Sequence, residues 1–239
     1  MDQNLHVHDT NYGSRGDSRN QHASSRNDYH DHSQGGERYT TEECKFWKRV
    51  GACRHGHSCA KRHNRPKVSK TVVFWNLFNN PVRTLFNKSN GKENAEKDSD
   101  VFSTVDVHID ERKLQEEAER LYQDLFVELS MKYGEIETIV ICGNYNVHIG
   151  GNVLVKFSDE RAAANCVRSC NDRWYNGKPI FCELSPVTRM EDSFCRPHLS
   201  HRGCERGDTC NMIHPREPNR GIKATLFASQ KEFYKEEGF

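Results

Sequence analysis

The stretch CKFWKRVGACRHGHSCAKRH, residues 44–63, returns with the same ligand spacing as CRPHLSHRGCERGDTCNMIH, residues 195–214. Cys44, Cys53, Cys59 and His63 have 8, 5 and 3 residues between them, and so do Cys195, Cys204, Cys210 and His214. Each ligand lies 151 residues from its counterpart, so the unit is an internal repeat. Three thiolates and one imidazole close a tetrahedron around Zn2+ and leave no position for water. The pattern therefore predicts two structural zinc ions and argues against a catalytic metal. Metal binding of about 10–16 kcal/mol per structural site makes so short a segment fold only with its ion.

The rest of the composition agrees with small metal-held modules. Of 239 residues, 34% are hydrophobic and 29% charged, too polar for one large core. No run of about 18 apolar residues predicts a membrane helix, and the opening MDQNLHVHDT has no signal-peptide apolar stretch. Ten cysteines in an unsecreted chain point to metal or to inert buried thiols, and Cys142, Cys166, Cys170 and Cys182 are read as the latter. The net charge of +1 hides a segregation. Residues 44–70 hold nine Lys or Arg and no acid, whereas residues 106–137 hold ten acids and four bases. One basic and one acidic surface imply two partners of different charge.

Between the repeats, 71–78 (TVVFWNLF) reads as a strand. A helix follows with Leu114, Ala118, Leu121, Leu125 and Leu129 at spacings of three and four, ending at Gly134. Strands are expected at 136–142 and 151–157, then a helix capped by Ser158 or Asp159 with Ala163, Val167 and Cys170 on one face. After a loop holding Arg173, Trp174 and Tyr175, a last strand spans 179–184. The order β-α-β-β-α-β is the ferredoxin-like arrangement of RRM domains, an α+β fold. The expected layout is a disordered tail at 1–40, a first CCCH finger at 41–68 and an RRM-like domain at 69–187. A second finger at 188–217 and a C-terminal tail at 218–239 complete it. Residues 87–100 read as a polar insertion.

A finger of this kind reads single-stranded RNA through backbone groups and stacking side chains. Phe46, Trp47, Arg54, His55, Lys61 and Arg62 are the candidates in the first finger, although one of the two aromatics can instead pack the finger's core. Arg196, His198, Arg206 and Met212 occupy the corresponding region of the second. The RRM sheet is a poor base platform, because Val73, Asn152 and Leu154 stand where stacking aromatics belong. Glu117, Asp124 and Glu128 line an acidic helix edge suited to a basic peptide. Trp174, set among polar residues, is either a binding anchor beside that edge or a core plug. No nucleophile–base pair or open metal site is visible, so an enzyme is not expected.

Together these residues resemble the small-subunit family of the U2 auxiliary factor. The resemblance is carried by GACRHG (51–56), KYGE (132–135), GNVLVKF (151–157), NDRWYNGKPI (171–180), ELSPVT (183–188) and the two fingers, from about Glu43 to His214. It implies a nuclear pre-mRNA splicing factor whose fingers recognise the AG ending an intron. It also implies a U2AF homology motif that holds a tryptophan-containing peptide of the large subunit, in a heterodimer, with no membrane or small-molecule substrate. On that resemblance Arg173 and Tyr175 match the family's Arg-X-Phe loop, with Tyr for Phe. Trp174 inserts between prolines of the large subunit, Asp124 and Glu128 are acidic contacts, and Phe46, Arg54 and Arg62 contact RNA. Two features depart from the family: residues 215–239 lack Arg-Ser repeats, and Met212 replaces an aromatic. A minor-spliceosome paralogue and a CCCH-type mRNA-stability regulator are the alternatives.

Overall fold

Alternating apolar residues divide the central sheet between two cores, and that division positions everything else. In a computed structural model of the chain, residues 40–79 and 110–236 are described. The expected tail, except Thr40, and the insertion at 87–100 lie outside them. The central sheet contains β3 (Thr71–Phe74), β4 (Ile136–Ile141), β5 (Val153–Phe157) and β8 (Cys182–Leu184). The strands run antiparallel in the order β4-β5-β3-β8. Two helices cross between them: α2 (Glu111–Lys132) and α3 (Glu160–Cys170). This is the expected RRM-like α+β fold.

Both helix starts follow from short acidic caps. Asp110 accepts from the Lys113 amide, and Asp159 accepts from the amides of Arg161 and Ala162. The expected stripe Leu114, Ala118, Leu121, Leu125 and Leu129 is buried. It packs with Val72, Phe74, Ile139, Ile141, Val153 and Val155 from one face of the sheet. The alternate residues Val73, Val140 and Leu154 point the other way. There they meet Val50 and Ala52 of the first finger segment, Ile213 of the second, and Val187 and Met190 between. The face that an RNA-binding RRM leaves open is therefore a second core, roofed by the finger segments. Each fully buried aliphatic side chain contributes about 1.5–3 kcal/mol there.

Several boundaries differ from the sequence reading. The strand expected over 71–78 stops at Phe74, because Asn76 adopts φ 52° and its amide donates to Asn152. The strand expected over 179–184 is divided. Its first part pairs as β7 (Lys178–Pro179) with β6 (Trp174–Tyr175), across a turn in which Asn176 and Gly177 both have positive φ. Residues expected as a C-terminal tail contain the 17-residue helix α5 (Arg220–Glu236). Its Phe227 packs edge-on against Phe126 of α2, and Tyr234 donates to the Ser130 carbonyl. Gln230 donates to the Ile136 carbonyl and accepts from its amide, satisfying the outer edge of β4. The described residues belong to one compact unit.

Candidate metal centres and a candidate partner-binding face

Each finger is built the same way around its four candidate ligands. Cys44 and Cys195 precede the short helices α1 (Lys45–Val50) and α4 (Arg196–Leu199). Cys59 and Cys210 each follow a single 3-10 turn, at Gly56–Ser58 and Gly207–Thr209. The final histidine follows a parallel pairing in both. In the first finger β1 (Thr40–Glu43) pairs with β2 (Lys61–Arg62); in the second Phe194 bridges Ile213. Gly51 ends α1 with φ 77°, and a Cβ there would stand 2.9 Å from the Ser185 hydroxyl, so glycine lets the finger approach the central domain.

The ligand atoms of Cys44, Cys53, Cys59 and His63 all lie within 4.8 Å of one another, as do those of Cys195, Cys204, Cys210 and His214. Nε2 of His63 and of His214 is buried and has no hydrogen-bond partner. A buried, unpartnered ring nitrogen on a histidine grouped with three thiols is costly unless something occupies its lone pair, and a metal ion can do so. Burial lowers the pKa of His63; burial and neighbouring His198 take His214 down to about 4. Both imidazoles are thus neutral and able to donate to a metal. Both clusters can hold a metal ion.

The residues expected to contact RNA separate in the structure. Trp47 is a correction: it is only 7% exposed, stacks on the ligand His63 at 4.6 Å and donates its indole N–H to the Asn64 carbonyl at 2.8 Å. It packs with Cys44, Cys53 and Cys59 in the finger's core, its ring flat on the histidine. His198, at the equivalent position of the second finger, stacks on His214 at 4.1 Å. Phe46 is 42% exposed. Arg54, His55, Arg62, Arg196 and Arg206 are also exposed, and Met212 is half-buried against the second core.

Arg54 reaches across to the second finger, donating to Asn211 Oδ1 and to the Thr209 carbonyl, both at 3.1 Å. The loop between β4 and β5 braces the same finger. Asn144 donates to the Met212 carbonyl and accepts from the His214 amide, Asn146 donates to the Cys210 carbonyl, and His148 pairs with Asn211 at 3.0 Å. Sequence reading missed these residues. Their one signal was a Gly- and Asn-rich run, GNYNVHIGG (143–151), which a turn explains equally well.

On the opposite side of the sheet the residues expected to bind a partner converge. Arg173 is ion-paired with Glu128 of α2, and the Tyr175 hydroxyl donates to Asp124 at 2.9 Å. Burial opposes the charge of Glu128, but hydrogen bonds from Arg173 and Lys132 outweigh it and lower the carboxyl's pKa. Burial and the Asp124 bond push the Tyr175 phenol up to about 12. Between them Trp174 is 68% exposed, which excludes the core-plug alternative. Cys166, Cys170 and Cys182 are buried behind this loop.

No family model matches the chain. Named relatives do. It is 35% identical over 199 residues to the splicing factor U2AF 23 kDa subunit of Schizosaccharomyces pombe, covering 82% of each chain. It is 35% identical over 184 residues to the human splicing factor U2AF 26 kDa subunit, covering 77% of each. The Drosophila melanogaster U2af 38 kDa subunit is 35% identical over 188 residues, 79% of this chain and 66% of that one.

Proposed function

The chain belongs to the U2AF small-subunit family of splicing factors, and from that premise we propose that it acts in the nucleus by binding rather than catalysis, reading RNA at the 3′ splice site while docked on the large subunit. The two clusters hold Zn2+, since three thiolates and an imidazole suit that ion and close its coordination. Metal supplies folding energy to the fingers; Phe46, Arg54, His55, Arg62, Arg196, Arg206 and Met212 supply the surface presented to RNA. Arg173, Trp174 and Tyr175, with Asp124 and Glu128, take the large subunit's tryptophan-containing peptide. The observation that carries this reading is the brace from Arg54 to Asn211 and Thr209. It fixes the basic first finger beside the second, as recognition of adjacent nucleotides requires.

The test is RNA affinity of the full chain with a large-subunit peptide, at fixed salt because phosphate contacts make affinity salt-dependent. An oligonucleotide containing UUAG should bind at least about tenfold tighter than one containing UUCG, a difference of about 1.4 kcal/mol. Chelation of zinc should abolish both. Equal affinities would reduce the chain to a nonspecific binder, and binding that survives chelation would remove the fingers from the reading.

A further inference from the structure

We propose that Phe181 and Trp75 form a base-stacking platform for single-stranded RNA, continuing the surface of the first finger onto the edge of the sheet. The proposal rests on the fingers binding RNA. The Trp75 amide donates to the Phe181 carbonyl at 2.8 Å, so the two residues lie opposite each other where β3 and β8 end. Their side chains follow the pleat that places Val73 opposite Glu183, on the finger side of the sheet. Along most of that face the finger segments cover the sheet, and Val73, Val140 and Leu154 are buried. At the β8 edge the cover stops. Trp75 is half-buried and Phe181 is 51% exposed.

The platform is held in place before any ligand arrives. Trp75 stacks on Trp47 of the first finger, with ring centroids 6.3 Å apart and planes 21° apart. Its indole N–H donates to Glu183 at 3.2 Å. Arg65, on the segment leaving the finger, stands 3.6 Å from the same carboxylate. An ordered aromatic pair is a sequence-tolerant seat for bases, and a neighbouring guanidinium can stack or contact phosphate. Glu183 adds an acceptor suited to base amino groups. The cationic surroundings favour RNA over an acidic or apolar peptide, since the segment from Cys44 to Lys70 has nine basic residues and no acidic one. The acidic face proposed for the large subunit lies across the sheet, on α2.

The experiment compares a short UUAG oligonucleotide with versions extended on its 5′ or 3′ side, using the zinc-loaded full chain with the large-subunit peptide. Phe181→Ala should weaken one extended oligonucleotide by about fivefold or more. It should leave the short one, and the salt dependence, unchanged, and Phe181→Trp should restore affinity. Unchanged binding of both extended oligonucleotides would overturn the platform. So would an equal loss on the short one, or a loss confined to the large-subunit peptide. If chelation leaves the short oligonucleotide bound, the finger reading fails and the platform with it; if chelation abolishes that binding and Phe181→Ala weakens neither extended form, the platform alone fails.

Discussion

Trp47 and Trp174 show how one residue type takes opposite roles. Trp47 sits three residues after a ligand cysteine, where its ring lies flat on His63 and its N–H is satisfied by a carbonyl. Trp174 sits in a two-residue strand, flanked by side chains tied to α2 through Glu128 and Asp124. Trp174 is 68% exposed beside those ties, and large aromatics anchored in this way dominate interface energetics. Trp174→Ala should therefore weaken the large-subunit peptide by at least about 2 kcal/mol. Its thermal midpoint should stay at the wild-type value; calorimetric titration and a melting curve read the two quantities. Unchanged peptide affinity would sink the assignment.

Among the elements, α5 contributes most that the sequence reading left out. Gln230 closes two backbone hydrogen bonds of Ile136 in a buried position, at 2.9 and 3.0 Å. Gln230→Ala strips both partners at once, and each buried group left unsatisfied costs about 1–3 kcal/mol. Denaturant unfolding should show that loss, with metal affinity unchanged; a variant as stable as wild type would mean the edge of β4 is satisfied some other way. The elements most readable from sequence were those whose signal is local. The stripe from Leu114 to Leu129 and the β-branched strands repeat at their own periods within a few residues. In α5, Leu226 and Phe227 are separated from Phe233 and Tyr234 by the mostly polar run ASQKE (228–232), so the pattern resembles a solvated tail until α2 is seen beneath it. The hairpin at Trp174 likewise depends on Asn176 and Gly177, two residues that mark a turn without saying what it displays.

At the scale of the molecule, the metal sites and the sheet share a core. Val50, Ala52 and Ile213 belong to the finger segments and cover Val73, Val140 and Leu154. Nothing in the local pattern of these residues announces the contact, which joins segments far apart in the chain. Spacing made the ligands legible, but where the fingers rest was not. If the ions hold the fingers, their removal uncovers this second core. Chelation should lower the melting temperature of the whole unit, in one transition and with binding of a dye for apolar surface. A central domain that melts as before without zinc would show that the covering segments hold without the metal.

Asn211 receives Arg54 from one finger and His148 from the β4–β5 loop, while the same loop grips the backbone of Cys210, Met212 and His214. The second finger is consequently not a portable cassette. A graft that carries only residues 195–214 into another scaffold leaves behind the clamp that sets its orientation. The smallest unit of inheritance or engineering is the finger together with residues 143–151 and an arginine at the position of Arg54.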